Sequence, residues 1–359
     1  MRYVTVSHLK DGMILGQTLL NQNFGTMLSD GMQLEEHHIR KINDLGYGGV
    51  YIRDPRFEDI APSDIVKTDT RIQLIRSARE LQQQAESGYF ERSNIRMTKV
   101  SQDKLIMPVM EEIIANPKRM LDYVDAKPYE DYVYYHSANV VILSLLVGIE
   151  MGLSGTQLYE LGLSSMLYDL GNIFVPKAIL NKPGKLSPEE FEEIKKHTDL
   201  GFEYLRNHFD ISIEGCMGAL QHHEYYDGSG YPNGLKKDRI SIFGRIIAIT
   251  DVYDALTSRR PFRQPMFPAT AMDYININSG TKFDPKVVAA LRNVVASYPS
   301  GICVEMASGA RCIVTENTPG FTDRPKLRLL KGLSRTPLNV DLTQSGIFAE
   351  AEISHIIEL

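Results

Sequence analysis

Cysteine is scarce in this chain: three residues in 359, Cys216, Cys303 and Cys312, with no C-x-x-C spacing. They read as free thiols in a reducing compartment. Cys303 and Cys312 could meet across a hairpin, but such a compartment argues against a disulfide. A basic excess is also missing. Lysine and arginine number 39 against 45 acids, and the net charge is −6. That excludes the basic face that duplex nucleic acid requires. A small phosphorylated substrate stays open, because a metal can supply the local positive charge. The N-terminal residues show no basic-then-apolar signal pattern. The longest apolar run, 140–149, is about half a membrane span and reads as a buried helix. The expectation is a cytoplasmic chain without a membrane span. Internal repeats and low-complexity segments are absent.

What is present is an ordinary globular balance, 43% hydrophobic and 23% charged, in a length that allows two or three domains. Residues 1–62 read as a small mixed α/β domain, with strand character at Tyr3–Val6 and Gly49–Ile52 and helical spacing at Leu34–Leu45. Residues 63–127 read as a helical linker. The apolar stripe Ile72, Leu74, Ile75, Ala78 and Leu81 within it is either a face packed on its own domain or a dimer seam. Residues 128–298 read as all-helical, with stripes over 131–152, 155–168, 188–208, 213–225 and 243–258. Ser187-Pro188-Glu189-Glu190 is a helix start, with serine as cap and acids at the positive dipole end. Residues 299–359 form a short β-rich appendage, with strands over 302–306, 311–315 and 326–330. The fold class expected is mainly α.

The chemistry concentrates in His222-His223-Glu224-Tyr225-Tyr226-Asp227-Gly228-Ser229-Gly230-Tyr231-Pro232. Imidazole nitrogens bind divalent first-row metals. Glycines allow a tight turn and close approach to a ligand. Further potential ligands are His136, Asp169, His197 and Asp251. A lone histidine is more often a partly buried polar residue than a ligand, and Asp251 could merely cap a helix over 252–257. Glu224 and Asp227 either orient ligand imidazoles or are polar turn residues.

Taken in order, Tyr135-His136-Ser137, Tyr168-Asp169-Leu170-Gly171-Asn172, Asn181-Lys182-Pro183-Gly184-Lys185-Leu186, Lys196-His197, the 222–232 run and Asp251–Thr257 resemble the HD-GYP family, a branch of the HD-domain metal-dependent phosphohydrolases. The resemblance covers about half the chain, roughly 128–293. It implies hydrolysis of cyclic di-GMP to pGpG or GMP with divalent iron or manganese. It implies that His136, Asp169 and Asp251 surround one ion. Asp169, His197, His222 and His223 would surround a second, with Asp169 bridging and catalytic. Two such cations share a hydroxide and clamp both oxygens of an in-line displacement. Tyr231 and Gly230 would shape the nucleotide pocket, and Arg260 and Arg263 match positions that meet substrate phosphates.

The sequence departs from that pattern on one side. Tyr168 stands where the family has the histidine of its His-Asp pair. Neutral phenol, with a pKa near 10, is a poor ligand for a divalent metal, although a phenolate binds ferric iron. Asn172 stands where the family has a phosphate-contacting lysine. Tyr132 stands where some members carry an acidic ligand for a third metal. The expectation is therefore one or two ions per chain and a weakened first site. Three functions compete. One is a phosphodiesterase with an altered first site. Another is a non-catalytic receptor or adaptor that binds cyclic di-GMP or a diguanylate cyclase of the GGDEF type. The third is a hydrolase of another phosphate ester. A homodimer is an open reading.

Overall fold

The computed structural model describes residues 1–359 apart from 22–24, 63, 94–96, 117–119, 123, 125–131, 259–264, 331–337, 345–350 and 359. The chain opens on a small sheet. Strand β1 (Arg2–Thr5) and β2 (Ile14–Leu15) flank β5 (Gly49–Arg53), and both pair with it antiparallel. A second pair, β3 (Leu19–Leu20) with β4 (Thr26–Leu28), lies between them in sequence. Helix α1 (Glu36–Asp44) is capped by reciprocal bonds between Glu35 and His38. It buries Ile42 with Val4, Leu15, Leu34 and Val50 in a core of their own.

From there to Val294 the regular elements among the described residues are helices. Helices α2 (Thr68–Glu86), α3 (Tyr89–Ser93) and α4 (Lys99–Ala115) precede α5 (Tyr132–Glu150) and α6 (Gly155–Leu167). After a short 3₁₀ turn, Leu170–Phe174, come α7 (Lys177–Leu180), α8 (Pro188–Lys195), α9 (His197–His208) and α10 (Ile213–Gln221). Then follow α11 (Ile242–Thr257), α12 (Pro268–Ile277) and α13 (Pro285–Val294). One apolar cluster runs through them, from Leu74 and Ile75 to Leu291. The α2 stripe is thus covered inside the chain rather than presented as a seam. Helix α5 carries Val140-Val141-Ile142-Leu143 and Leu145-Leu146-Val147 on every face, so it is buried all round. By length and composition it could cross a membrane, but 72% of that apolar window lies inside the protein.

One helical stretch differs from its sequence pattern. The stripe over 188–208 is two helices that meet at Lys196. At the break the Ile194 carbonyl oxygen lies 2.6 Å from Nδ1 of the His197 ring, and the Lys196 N–H also turns to it. Likewise the 213–225 stripe stops at Gln221, and His222 occupies the C-terminal cap.

The chain ends on a five-stranded antiparallel sheet in the order β10-β6-β7-β8-β9: β6 (Cys303–Met306), β7 (Arg311–Glu316), β8 (Lys326–Leu329), β9 (Asn339–Asp341) and β10 (Ile353–Ile356). In the β6–β7 register Cys303 faces Ile313 and Cys312 faces Val304. Both thiols are therefore buried and free. The sheet is tied back to the N-terminal unit by Tyr3 N–H donating to the Gly301 carbonyl at 3.0 Å. Phe57 and Ile60 pack with Cys303 and Ile313.

Candidate metal centre

Helix ends set the imidazoles. At the α8–α9 break, His197 Nδ1 lies 2.6 Å from the Ile194 carbonyl oxygen. At the end of α10, His222 Nδ1 lies 3.1 Å and 3.0 Å from the carbonyl oxygens of Gly218 and Ala219. A carbonyl only accepts, so Nδ1 carries the proton in both rings and Nε2 presents a lone pair. Those two Nε2 atoms face each other at 3.3 Å in a buried recess. Two facing lone pairs repel unless a cation or proton sits between them. His223 adds its nitrogen, and the three ligand atoms lie within 4.8 Å of one another. Burial, and then the neighbouring imidazoles, hold His222 well below the usual histidine range and push His223 down to about 3. All of this is what a divalent cation requires: neutral rings with aimed lone pairs.

Asp169 completes the set. Its Oδ1 stands 3.5 Å from His197 Nε2 and 3.7 Å from His222 Nε2. It follows Tyr168 at the end of α6 and starts the 3₁₀ turn. That turn lies against α9 because Gly171 has no side chain; a Cβ there would collide with the His197 carbonyl. Burial, joined by Asp251 and opposed by His197, raises the Asp169 carboxyl above its ordinary range. The Asn172 side chain bonds to Asp169 rather than reaching outward. His197, His222 and His223 thus form a group that could hold a divalent ion, with Asp169 Oδ1 beside two of them.

The other side is arranged differently. His136, on α5, has Nε2 2.8 Å from Asp251 Oδ1 and Nδ1 2.7 Å from Asp254 Oδ2, both on α11. Burial alone would depress its pKa, but the two carboxylates overcome that and hold His136 at about 9. The imidazolium in turn keeps Asp251 below the carboxylate range against the effect of burial. The Tyr168 hydroxyl donates to Asp251 Oδ1 at 2.9 Å and stands 3.0 Å from His136 Nε2. His136, Asp251 and Tyr168 thus bond one another in this structure. Asp251 lies inside α11, so it is not a helix cap.

The 222–232 turn forms a wall of the recess. Tyr231 stacks on His223, with ring centroids 4.7 Å apart and planes 29° apart. Its N–H donates to the His223 carbonyl at 3.0 Å. Gly230 lies so close beneath that a Cβ would collide with the backbone of His223 and Tyr225. Glu224 accepts the N–H groups of Asn233 and Leu235 at 2.7 and 2.9 Å, and Asp227 accepts Ser229 N–H at 2.8 Å. Both carboxylates hold the turn, and neither meets an imidazole in these bonds. Arg260 and Arg263 lie outside the described residues, as does the Tyr132 side chain.

Several participants carry no mark in the residue pattern. Phe191 stands edge-on to Tyr231 at 6.0 Å, and the Lys195 ammonium lies over both rings at 4.9 and 5.6 Å. Their i, i+4 spacing on α8 is the sole sequence signal. Asp254, three residues after Asp251, is the unforeseen partner of His136. Its signal is the same i, i+3 spacing on one helix.

Comparison with known proteins agrees with this geometry. A cyclic di-GMP phosphodiesterase of Pseudomonas aeruginosa is 33% identical over 246 residues, 67% of this chain and 59% of that one. One of Thermotoga maritima is 44% identical over 156 residues, 43% of this chain and 42% of the other. A 3′3′-cGAMP-specific phosphodiesterase of Vibrio cholerae is 39% identical over 157 residues, 44% of this chain and 36% of the other. The chain therefore spans between about a third and three fifths of the length of these relatives. Residues 108–287 match the HD domain family over half of the chain. With that match and a histidine–aspartate cage at its centre, the chain belongs to the HD domain family.

Proposed function

We propose that the chain is a metal-dependent phosphodiesterase that hydrolyses cyclic di-GMP to pGpG or GMP. Iron or manganese would be held by His197, His222, His223 and Asp169. The observation that carries this reading is the pair of bare Nε2 atoms on His197 and His222, 3.3 Å apart beside Asp169. A divalent cation held there would supply Lewis-acid chemistry to phosphodiester hydrolysis. The chain's own residues supply the rest. Asp169, beside His197 and His222, would add an anionic oxygen to the histidine nitrogens around the ion. Tyr231 and Phe191 offer aromatic faces to a base, and Lys195 offers a cation to a phosphate. Asn172 is neutral, so it cannot protonate a leaving oxygen.

A second reading is favoured by one observation. The bonds from Tyr168 to His136 and Asp251 leave the first-ion donors engaged with one another. A site with one ion could bind the nucleotide, or a GGDEF-type cyclase through the Gly230–Tyr231–Pro232 surface, without turnover.

The test is metal analysis of protein purified without chelator, followed by chromatography of products from cyclic di-GMP and 3′3′-cGAMP with added iron or manganese. Metal with linear product supports the enzyme. Metal and tight binding without product supports the receptor. A folded protein that holds no metal overturns the enzyme reading.

A further inference from the structure

A file of buried polar side chains runs from the candidate site out of the HD-matched segment. His136 Nδ1 meets Asp254 Oδ2 at 2.7 Å. Asp254 Oδ1 accepts the Asn139 amide at 2.8 Å. The Asn139 carbonyl oxygen accepts Arg71 Nη1. Arg71 then grips Asp64 with Nε and Nη2, each at 2.6 Å. Arg71, Asn139, His136 and Asp254 are all more than nine-tenths buried. Asp64 and Arg71 precede the family match, which begins at residue 108.

We infer that Arg71, held by Asp64, is a positioning residue that sets the orientation of His136. The inference rests on the metal-dependent reading above, but its test does not need turnover. The polarity of the file is what fixes the ring. A guanidinium only donates and a carboxylate only accepts. Asn139 between them must turn its oxygen to Arg71 and its nitrogen to Asp254. The flipped amide would set N–H₂ against the guanidinium and oxygen against the carboxylate. One Asp254 oxygen is thereby committed to Asn139, and the other receives Nδ1–H of His136 together with the Ser258 hydroxyl at 3.1 Å. Nε2 is left aimed at Asp251 and the recess. In a buried setting such bonds reinforce one another. Without Arg71 the amide keeps its bond to Asp254 but loses the donor that holds its oxygen, so the placement of the Asp254 carboxylate loosens. Outer partners of this kind tune histidines strongly when they are metal ligands.

Asp64 gives the file an outer end with a meaning. It sits in the segment that leads from the N-terminal unit into α2, and it lines an open cleft of about 900 Å³ with Leu20 and Thr26 of that unit. The orientation of His136 is therefore tied to the seating of that segment.

The test is histidine-selective ¹⁵N NMR of the full chain, with His136 assigned from the peak lost in His136→Gln. Arg71→Met should move the His136 ring nitrogens while those of His197, His222 and His223 stay in place. Arg71→Lys, which keeps charge without the fork, should restore part of the shift. Asp64→Asn, at a less buried site, should move His136 the same way by less, and serves if Arg71→Met does not fold. With cyclic di-GMP, kcat should fall about tenfold in Arg71→Met, within the range for outer partners of ligands, with KM within about twofold. Unmoved His136 signals in folded variants overturn the inference, as does an equal shift of all four histidines. Absence of turnover in the unmutated protein would strike the proposed function and leave the NMR result standing.

Discussion

The phenol oxygen of Tyr168 stands 3.0 Å from Nε2 of His136, closing a triangle with Asp251 Oδ1. The two carboxylates on either side hold His136 at about 9, so its ring carries positive charge between Asp251 and Asp254. The two halves of the cage therefore differ in kind. One has lone pairs aimed at a common point, and the other has protons already satisfying its acceptors.

Restoring the family residues should raise turnover. Tyr168→His with Asn172→Lys replaces a phenol with a nitrogen ligand and adds a cation for phosphate. Cyclic di-GMP hydrolysis should rise at least about tenfold, or 1.4 kcal/mol of barrier. The measure is initial rate with saturating manganese. No gain in a folded, metal-loaded double variant would show that other positions limit the reaction.

Metal retention should be lopsided. His223→Ala removes a donor from the set around His197 and His222, so it should cost at least about tenfold in metal affinity. His136→Ala breaks bonds to carboxylates and should leave most of that ion in place. Metal per chain after dialysis, by mass spectrometry, checks this. Equal loss from both would remove the asymmetry.

How far the sequence foretells this site depends on where each partner lies. His222 and His223 are adjacent, and their glycine turn is local, so the 222–232 run announces itself. His197 and Asp169 stand out only through the resemblance of their short motifs to the HD-GYP pattern. The file through Asp254, Asn139, Arg71 and Asp64 does not stand out, because it joins four segments between residues 64 and 254 that only packing brings together. The break at Lys196 is also hidden, since lysine is a good helix former. The β-rich character of the C-terminal segment is readable from alternation in β6, β7 and β8, but the five-stranded sheet is not, because β9 is three residues long and adds little signal.

The N-terminal unit should show an acid-sensitive element at Asp54. Its side chain accepts from Arg56, and also from Arg2, and its pKa is lowered to about 2. A carboxyl depressed on folding stabilises the protein above its unfolded pKa, 3.8. That contribution fades as pH falls through about 2. Asp54→Asn should thus cost up to about 2 kcal/mol at pH 7 and almost nothing near pH 2. Urea unfolding followed by circular dichroism at the two pH values reads the difference, and a cost independent of pH would sink the assignment.

Gly230 is where the turn and the metal donors share space. Its Cα lies under the backbone of His223 and Tyr225, with no room for a methyl group. The next residue, Tyr231, both bonds the His223 carbonyl and stacks on its ring. Gly230→Ala must push the turn away from His223, and the imidazole loses the face that holds its plane. Metal affinity should fall about tenfold, as for loss of a partner that orients a ligand, and KM for the nucleotide should rise with it. Ser229→Ala is the control. It removes a hydroxyl bond to Asp227 at 2.7 Å and loosens the same turn without touching His223. Isothermal titration with manganese compares the two. If Ser229→Ala costs as much metal as Gly230→Ala, the turn acts through its general stability and not through its contact with His223.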